Sequence, residues 1–409
     1  MTLLPVAKAL DQLLETAATL PAETVALADA AGRVLARPVV ALRTQPPFPA
    51  SAMDGYAVRA ADLAAVPARL RVIGEAPAGH GFSGSLGAGE AVRIFTGAPV
   101  PDGADAILIQ ENAELTGPGE IEARQTVSAG LYVRRAGLDF AEGETLLTPG
   151  RRLDAAALSV AAAANHTALD VVRRPRVAIL ATGDELLPPG SEPGPDQIIA
   201  SNSYGVAAIV AEAGAMAIDL GIAPDRRDAI SNAVDRARQA GADVIVTLGG
   251  ASVGDHDLVR EVLETIGMRL DFWKIAMRPG KPLMVGRLAG THVLGLPGNP
   301  VSSIVCSHLF LVPLLAALGG RLHRPDIRDA VVKTAMTAND EREDYVRARV
   351  TETENGLEAE PFGRQDSSML KVLAEANGLI VRPVAAPAAA RGDSVRVLML
   401  RAPERDFAP

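Results

Sequence analysis

Apolar and polar positions change period several times along this chain, and each change marks a different kind of element. Residues 6–20 carry apolar side chains at helical spacing and stop at Pro21. Residues 23–40 turn extended, with Ala31 and Gly32 as punctuation, and the stretch 45–56 holds too much proline for a helix. From about 57 to 139 short β-like runs (69–73, 90–94, 106–110, 121–124) alternate with glycine clusters, which predicts a small β-rich domain. The glycine-rich spacer 78–89 reads as hairpin loops, since no helix follows it. A helix over 155–166 and a strand over 168–173 lead into a regular middle region. There strands at 176–181, 217–221 and 243–248 alternate with helices at 201–214, 228–240 and 257–266. The first of these helices opens on a Ser/Asn cap. Strand-like runs at 271–277, 283–287 and 291–296 precede a helix over 301–318. This alternation predicts a doubly wound, mostly parallel α/β sheet with right-handed crossovers. Beyond 323, runs at 329–335, 345–352, 357–361, 379–383 and 394–400 predict a separate β module, a small barrel.

The length of 409 residues implies two to four domains, and 48% hydrophobic content is ample for packed cores. A net charge of −9 argues against a general nucleic-acid binder but permits a local basic pocket. The single cysteine, Cys306, rules out an intrachain disulfide and sits in an apolar helical run, as a small core residue does. The N-terminus lacks the charged start and apolar core of a signal peptide. The 301–318 run is interrupted by serines, His308 and Pro313 and lies within an α/β pattern, so a buried helix is expected rather than a membrane span. A soluble, cytoplasmic protein is the expectation.

Three strand-like runs end in acidic loops: Thr182-Gly-Asp-Glu185, Pro224-Asp225 and the 249–257 segment that ends Asp255-His-Asp257. Ligands of open parallel sheets bind at the carboxyl ends of the strands. Carboxylates gathered there suit Mg²⁺, which takes a few acidic oxygens, waters and substrate phosphate oxygens. Asp225 and Asp257, with Asp184, Glu185 and Asp255 nearby, fit that chemistry; as single residues they equally read as helix caps or solvated loop charges. Lys274, Arg278 and Lys281 put three cations within eight residues. They form either an oxyanion clamp or a solvated basic turn. The Pro297-Gly-Asn-Pro-Val-Ser302 segment opens an apolar helix, whose N–H groups are open to an anion. The histidines lack metal-ligand spacing, and no nucleophile elbow, Walker loop or dinucleotide fingerprint is present. From the residues alone, the reading stops at a metal-assisted reaction on a phosphate-bearing ligand, driven by positioning and electrostatics.

Seven segments in order resemble the molybdopterin molybdenumtransferase (molybdenum insertase) family, which includes the C-terminal domain of gephyrin. They are Pro46-Pro-Phe-Pro-Ala-Ser-Ala-Met-Asp-Gly-Tyr-Ala57, Arg93-Ile-Phe-Thr-Gly-Ala-Pro-Val-Pro101, Val133-Arg-Arg-Ala-Gly-Leu-Asp139, Thr182-Gly-Asp-Glu-Leu186, the 249–257 loop, Arg278-Pro-Gly-Lys-Pro282 and Leu296-Pro-Gly-Asn-Pro-Val-Ser302. The resemblance implies insertion of molybdate into adenylylated molybdopterin, with Mg²⁺-dependent cleavage of the adenylate to AMP. It implies Asp225 and Asp257 as Mg²⁺ ligands and Asp54, Thr96, Asp139 and Glu185 as active-site residues, some contributed across a homodimer. Lys274, Arg278 and Lys281 would face substrate and molybdate, and Ser302, Arg342 and Ser367 would line the molybdate pocket. Thr182, Gly183, Asp184, Gly249, Gly250, Ser252, Gly254, Pro297, Gly298, Asn299 and Pro300 would complete the substrate site. The implied domains are a dimerisation domain (1–43 with 140–173), a β-rich domain (44–139), an α/β molybdopterin-binding domain (174–322) and a C-terminal β-barrel (323–409). Transient partners would be the adenylyltransferase and molybdoenzyme or chaperone acceptors, with neither nucleic acid nor membrane. Arg278 stands where the family often has Lys, and Asp366 lies beside Ser367 where a Gly-Ser pattern is common. Rival readings are an adenylyltransferase or related nucleotide-processing enzyme, and a gephyrin-like scaffold.

Overall fold

The computed structural model describes residues 3–249 and 258–405, which fall into two compact units. The larger comprises residues up to Glu23 together with Val172 onward; the smaller spans Thr24–Val171.

At the centre of the larger unit lies a six-stranded sheet in the order Met216–Ala223, Arg176–Thr182, Val244–Leu248, Thr291–Leu296, Met284–Leu288, Arg269–Trp273. The first four strands are parallel and Met284–Leu288 runs antiparallel to both of its neighbours, so the sheet is mixed but mostly parallel. Strand Val244–Leu248 is buried along its whole length, as a sheet covered on both faces demands. One face packs Val206 and Val210 of helix Asn202–Glu212, and the long helix Pro300–Leu318, against Val177, Ile179, Val244 and Val246. The other packs Ile230 and Val234 of Arg227–Gln239, and Val259, Val262 and Leu263 of Leu258–Thr265, against Ala178, Leu180 and Ile245. The N-terminal helix Val6–Glu15 joins the first face through Ala9 and Leu13.

Two differences from the sequence pattern have physical causes. The run expected as one strand over 271–277 is split at Lys274, whose φ of +75° no strand accommodates. Its first part ends at Trp273, and Met277–Arg278 instead pairs in parallel with Glu343–Asp344 of the C-terminal module. The helix expected over 301–318 contains a π turn, Ser307–Leu311, immediately before Val312–Leu318. Pro313 has no N–H to give to the preceding turn, and a widened turn absorbs the clash of its ring. This helix, Pro300–Leu318, is long and apolar enough to cross a membrane, but most of it is buried in the core.

The C-terminal module closes into a five-stranded barrel. Glu343–Thr353, Gly356–Pro361, Ile327–Val332, Ser394–Met399 and Gly378–Arg382 follow one another around it, and the last pairs back onto the first. The smaller unit carries a six-stranded sheet in which Gly55–Val58, second from one edge and paired on both sides, is fully buried. It emerges from the proline-rich stretch that the sequence pattern left irregular. Helix Ala155–Ala163 of this unit is capped by Asp154, whose carboxylate accepts the Ala157 N–H at 2.9 Å.

Phe310 is completely buried where helix and sheet meet. Phe310→Ala is expected to destabilise the larger unit by about 3–5 kcal/mol, read as a lower midpoint in urea unfolding.

Candidate active site

The four parallel strands end on one edge of the sheet, and a cleft of about 940 Å³ opens there. It is built from the loops after three of them. Thr182, Gly183 and Glu185 follow the first, Asp225 the second and Gly249 the third, while Pro297, Gly298, Asn299 and Pro300 close it from the start of the long helix. The structure thus gathers nine residues singled out in the sequence into one concavity. Gly250, Ser252, Gly254, Asp255 and Asp257 lie outside the described residues.

Two local features fix this geometry. Gly249 has φ +98°, and a Cβ there would stand 2.7 Å from the Thr182 carbonyl oxygen, so neighbouring strand ends approach closely only with glycine. Asp184 accepts the Asp225 backbone N–H at 3.0 Å, tying the first two acidic loops together. The Asp225 carboxyl is pushed above the usual carboxylate range, first by partial desolvation, then by the like charges of Asp184 and Glu185. Thr182 Oγ1 is buried without a hydrogen-bond partner among the described residues.

Several lining residues escaped the sequence reading. Asn202 reads as a cap, yet its amide donates to the Gly298 carbonyl at 2.7 Å, and Ser201 makes no side-chain cap bond to the helix. The residue that looked like helix punctuation thus joins two cleft loops. Ile198 and Ile199, more than a third exposed, form an apolar lip for which no motif spoke. Ser368 reaches the cleft from the C-terminal module. Its neighbour Ser367 accepts the Asn299 amide at Oγ (2.8 Å) and the Val301 N–H at its carbonyl (3.1 Å). One of the helix-terminal N–H groups expected to be open to an anion is therefore already engaged. Asp366 turns its carboxylate to the Ser368 N–H and hydroxyl, which hold it below its usual range. Ser302 is buried in the first turn of the helix.

The three cations separate. Lys274 lies over the Trp273 ring at 4.2 Å. Lys281 is half-buried, and its carbonyl accepts the Ile275 N–H. Arg278, expected to face the substrate, is engaged by Asp344 and Asp340 at 2.7 and 3.0 Å. Arg342 is more loosely placed, 3.5 Å from Asp340.

In the smaller unit, Asp54 accepts both the N–H and the hydroxyl of Thr96, at 2.7 and 2.8 Å, and these bonds lower its pKa. The three N-terminal motifs converge around this pair. Ala50–Ser51 pairs with Val133–Arg134, and Ser51 exchanges backbone bonds with Gly97 and Ala98. Asp139 lines a separate cavity of about 360 Å³ with Gln45, Pro46, Pro47, Phe48 and Gly97.

Family models cover most of the chain. Residues 4–165 match the MoeA N-terminal region (domain I and II), 178–317 a probable molybdopterin binding domain, and 329–400 the MoeA C-terminal region (domain IV). The molybdopterin molybdenumtransferase of Nostoc sp. is 36% identical, across 92% of this chain and 88% of its own length. Molybdopterin molybdenumtransferase 2 of Mycobacterium tuberculosis is 38% identical, across 91% and 94%. The chain belongs to the molybdopterin molybdenumtransferase family. A crystal structure of the molybdopterin biosynthesis MoeA protein from Pyrococcus horikoshii superimposes with a TM-score of 0.84 at 32% identity, covering 98% of this chain and all of that one. Within this family frame, the cleft falls inside the molybdopterin-binding match except for Ser368, which the domain IV match supplies.

Gly249→Ala is expected to destabilise the unit by about 1–3 kcal/mol through backbone strain alone. It should also displace the Thr182 strand end. The loss of thermal stability and of ligand binding in the cleft measures both effects.

Proposed function

We propose that this chain inserts molybdate into adenylylated molybdopterin, with Mg²⁺-dependent cleavage of the adenylate and release of AMP. The observation that carries the reading is the set of carboxylates on the rim of the strand-end cleft. Glu185 and Asp225 line it and Asp184 holds the Asp225 N–H; partial desolvation first, then the charges of Asp184 and Glu185, raise the Asp225 pKa, and a divalent cation would offset both. Oxygen donors on open loops suit Mg²⁺. Asp225, with Asp257 from the third loop, would hold it, and the ion would neutralise charge on the scissile phosphate.

The protein's own part is positioning. The Gly249 backbone and the turn at Pro297–Pro300 shape the cleft around the phosphates, and Ile198 and Ile199 offer an apolar wall to the organic part of the substrate. In this reading Lys281 and Arg342 supply positive charge for molybdate, and Ser302 and Ser367 supply hydroxyls. Asp54, Thr96 and Asp139 would complete the site in a homodimer. Thr96 holds the Asp54 carboxylate ionised and fixed, as suits an electrostatic role.

The deciding assay is molybdate-dependent AMP release from adenylylated molybdopterin, with ATP plus molybdopterin as the control for an adenylyltransferase. Asp257→Ala should stop AMP release while leaving substrate binding almost intact. AMP release at the wild-type rate would remove Asp257 from this role.

Metal affinity should also depend on pH in a defined direction. Because the Asp225 pKa is raised, its proton competes with Mg²⁺ at a higher pH than at an ordinary aspartate. Affinity is full well above the raised pKa and weakens as pH falls through it. Asp184→Asn removes one of the repelling charges and should move the midpoint of Mg²⁺ binding, followed by calorimetry, to lower pH. An unmoved midpoint would show that the two carboxylates do not share a field.

A further inference from the structure

Arg278 stands at the junction between the basic loop and the barrel, and its hydrogen bonds are unlike those of an anion-binding cation. Its Nε and Nη2 both donate to Asp344 Oδ2, at 3.1 and 2.7 Å. Nη1 donates to Asp340 Oδ2 at 3.0 Å, and Nη2 also reaches Asn339 Oδ1 at 3.3 Å. One planar fork thus spans three acceptors on a single turn of the barrel, which a lysine ammonium cannot reproduce. The backbone follows the same path. Met277–Arg278 pairs in parallel with Glu343–Asp344, and the Glu343 N–H donates to Ala276 O at 2.9 Å. Asn339 fastens the far side of the turn, its amide nitrogen donating to the Arg342, Arg382 and Pro383 carbonyls.

Asp340 is shared. While Arg278 holds its Oδ2, the Arg342 N–H holds its Oδ1 at 2.9 Å, and the Arg342 guanidinium touches it only at 3.5 Å. The formal charges of Arg278 and Arg342 cancel those of Asp340 and Asp344, and Glu341 and Glu343 on the same turn leave it net negative. Attraction for an anion here therefore depends on where Arg342 points, not on the number of cations.

We propose that Arg278 is a positioning residue. It clamps the 339–344 turn of the barrel to the 278–282 loop and occupies Asp340, so that the Arg342 guanidinium remains available to the oxyanion substrate. Arg278 itself does not bind that anion. The kinetic part of the test rests on the function proposed above; the structural part does not.

The test compares Arg278→Lys, Asp344→Asn and the double variant. Each single variant is expected to raise the KM for molybdate about tenfold, the equivalent of one charge-assisted hydrogen bond. The KM for adenylylated molybdopterin and kcat at saturating molybdate should change little, a split that general loosening of the fold would not produce. The double variant should be no worse than either single one, because both break the same clamp. Amide hydrogen exchange at Glu343 should accelerate in all three. Two kinetic outcomes would overturn the proposal: an unchanged molybdate KM in Arg278→Lys, or a lowered one in Asp344→Asn, which would mean that the freed Arg278 binds the anion directly. Unchanged exchange at Glu343 would overturn it independently. If the wild-type protein releases no AMP, the functional reading fails, and the exchange result still decides the clamp.

Discussion

The buried helix Pro300–Leu318 is the constraint on which the larger unit depends. Its first turn borders the cleft, with Pro300 in the lining and Val301 held by the Ser367 carbonyl. One turn further on, Cys306 lies beneath the basic loop. Gly280 has φ +111°, and a Cβ there would stand 2.5 Å from the Cys306 sulfur, so the loop reaches its place only because that position carries no side chain. Phe310, Leu314 and Leu315 then share one cluster with the central sheet, the N-terminal helix and Tyr345, Leu379 and Leu398 of the barrel. Close-packed interiors transmit displacement rather than absorb it. A shift of this helix therefore moves the cleft rim, the basic loop and the barrel together.

Around that fixed element the charges are arranged unevenly. At the strand ends, partial desolvation and then the like charges of Asp184 and Glu185 raise Asp225, an environment that a cation would relieve. The arginines on the barrel side are treated in the opposite way. Arg278 is matched by two aspartates, and the buried Arg347 is met by Gln365 and the Asp366 carbonyl. Burying a guanidinium without such partners would cost several kcal/mol, on the order of 3–5 for a broken buried pair. One end of the site thus keeps its electrostatic tension, whereas the other has spent it on holding two modules in register.

The alternation of strand and helix made the central sheet legible, because its period and its strand-end carboxylates are properties of neighbouring residues. Thr182, Glu185, Asp225, Gly249 and the 297–300 turn could be assembled from that rule alone, since parallel strands must end on one edge. What stayed hidden depends on partners distant in sequence. Nothing near Arg278 announces that Asp340 and Asp344, more than sixty residues on, will neutralise it. Asn202 looks like a helix cap until Gly298 is seen opposite its amide. The strand Gly55–Val58 was concealed by its proline-rich approach, a local signal that strand pairing on both sides overrides. Lys274 reversed a prediction for the opposite reason, through a backbone angle that side-chain pattern does not report.

The chemistry left to the protein follows from its nucleophile inventory. The one thiol is fully buried and pushed up to about 12, far from the thiolate form that attacks an electrophile. His308 and His292 are depressed by burial, the latter to about 4, and neither lines the cleft. Among the described residues, the polar groups that do line it are the Glu185 and Asp225 carboxylates, the Asn202 and Asn299 amides, small hydroxyls and backbone groups. In the function proposed above, such a set would hold a phosphate and a cation still and stabilise charge as a bond to phosphorus breaks. Phosphoryl chemistry asks for little else, because most of its catalysis is positioning and electrostatic stabilisation. Rigidity is then the property to conserve in such a cleft, and the packed helix beneath it and the arginine clamp beside it both supply rigidity.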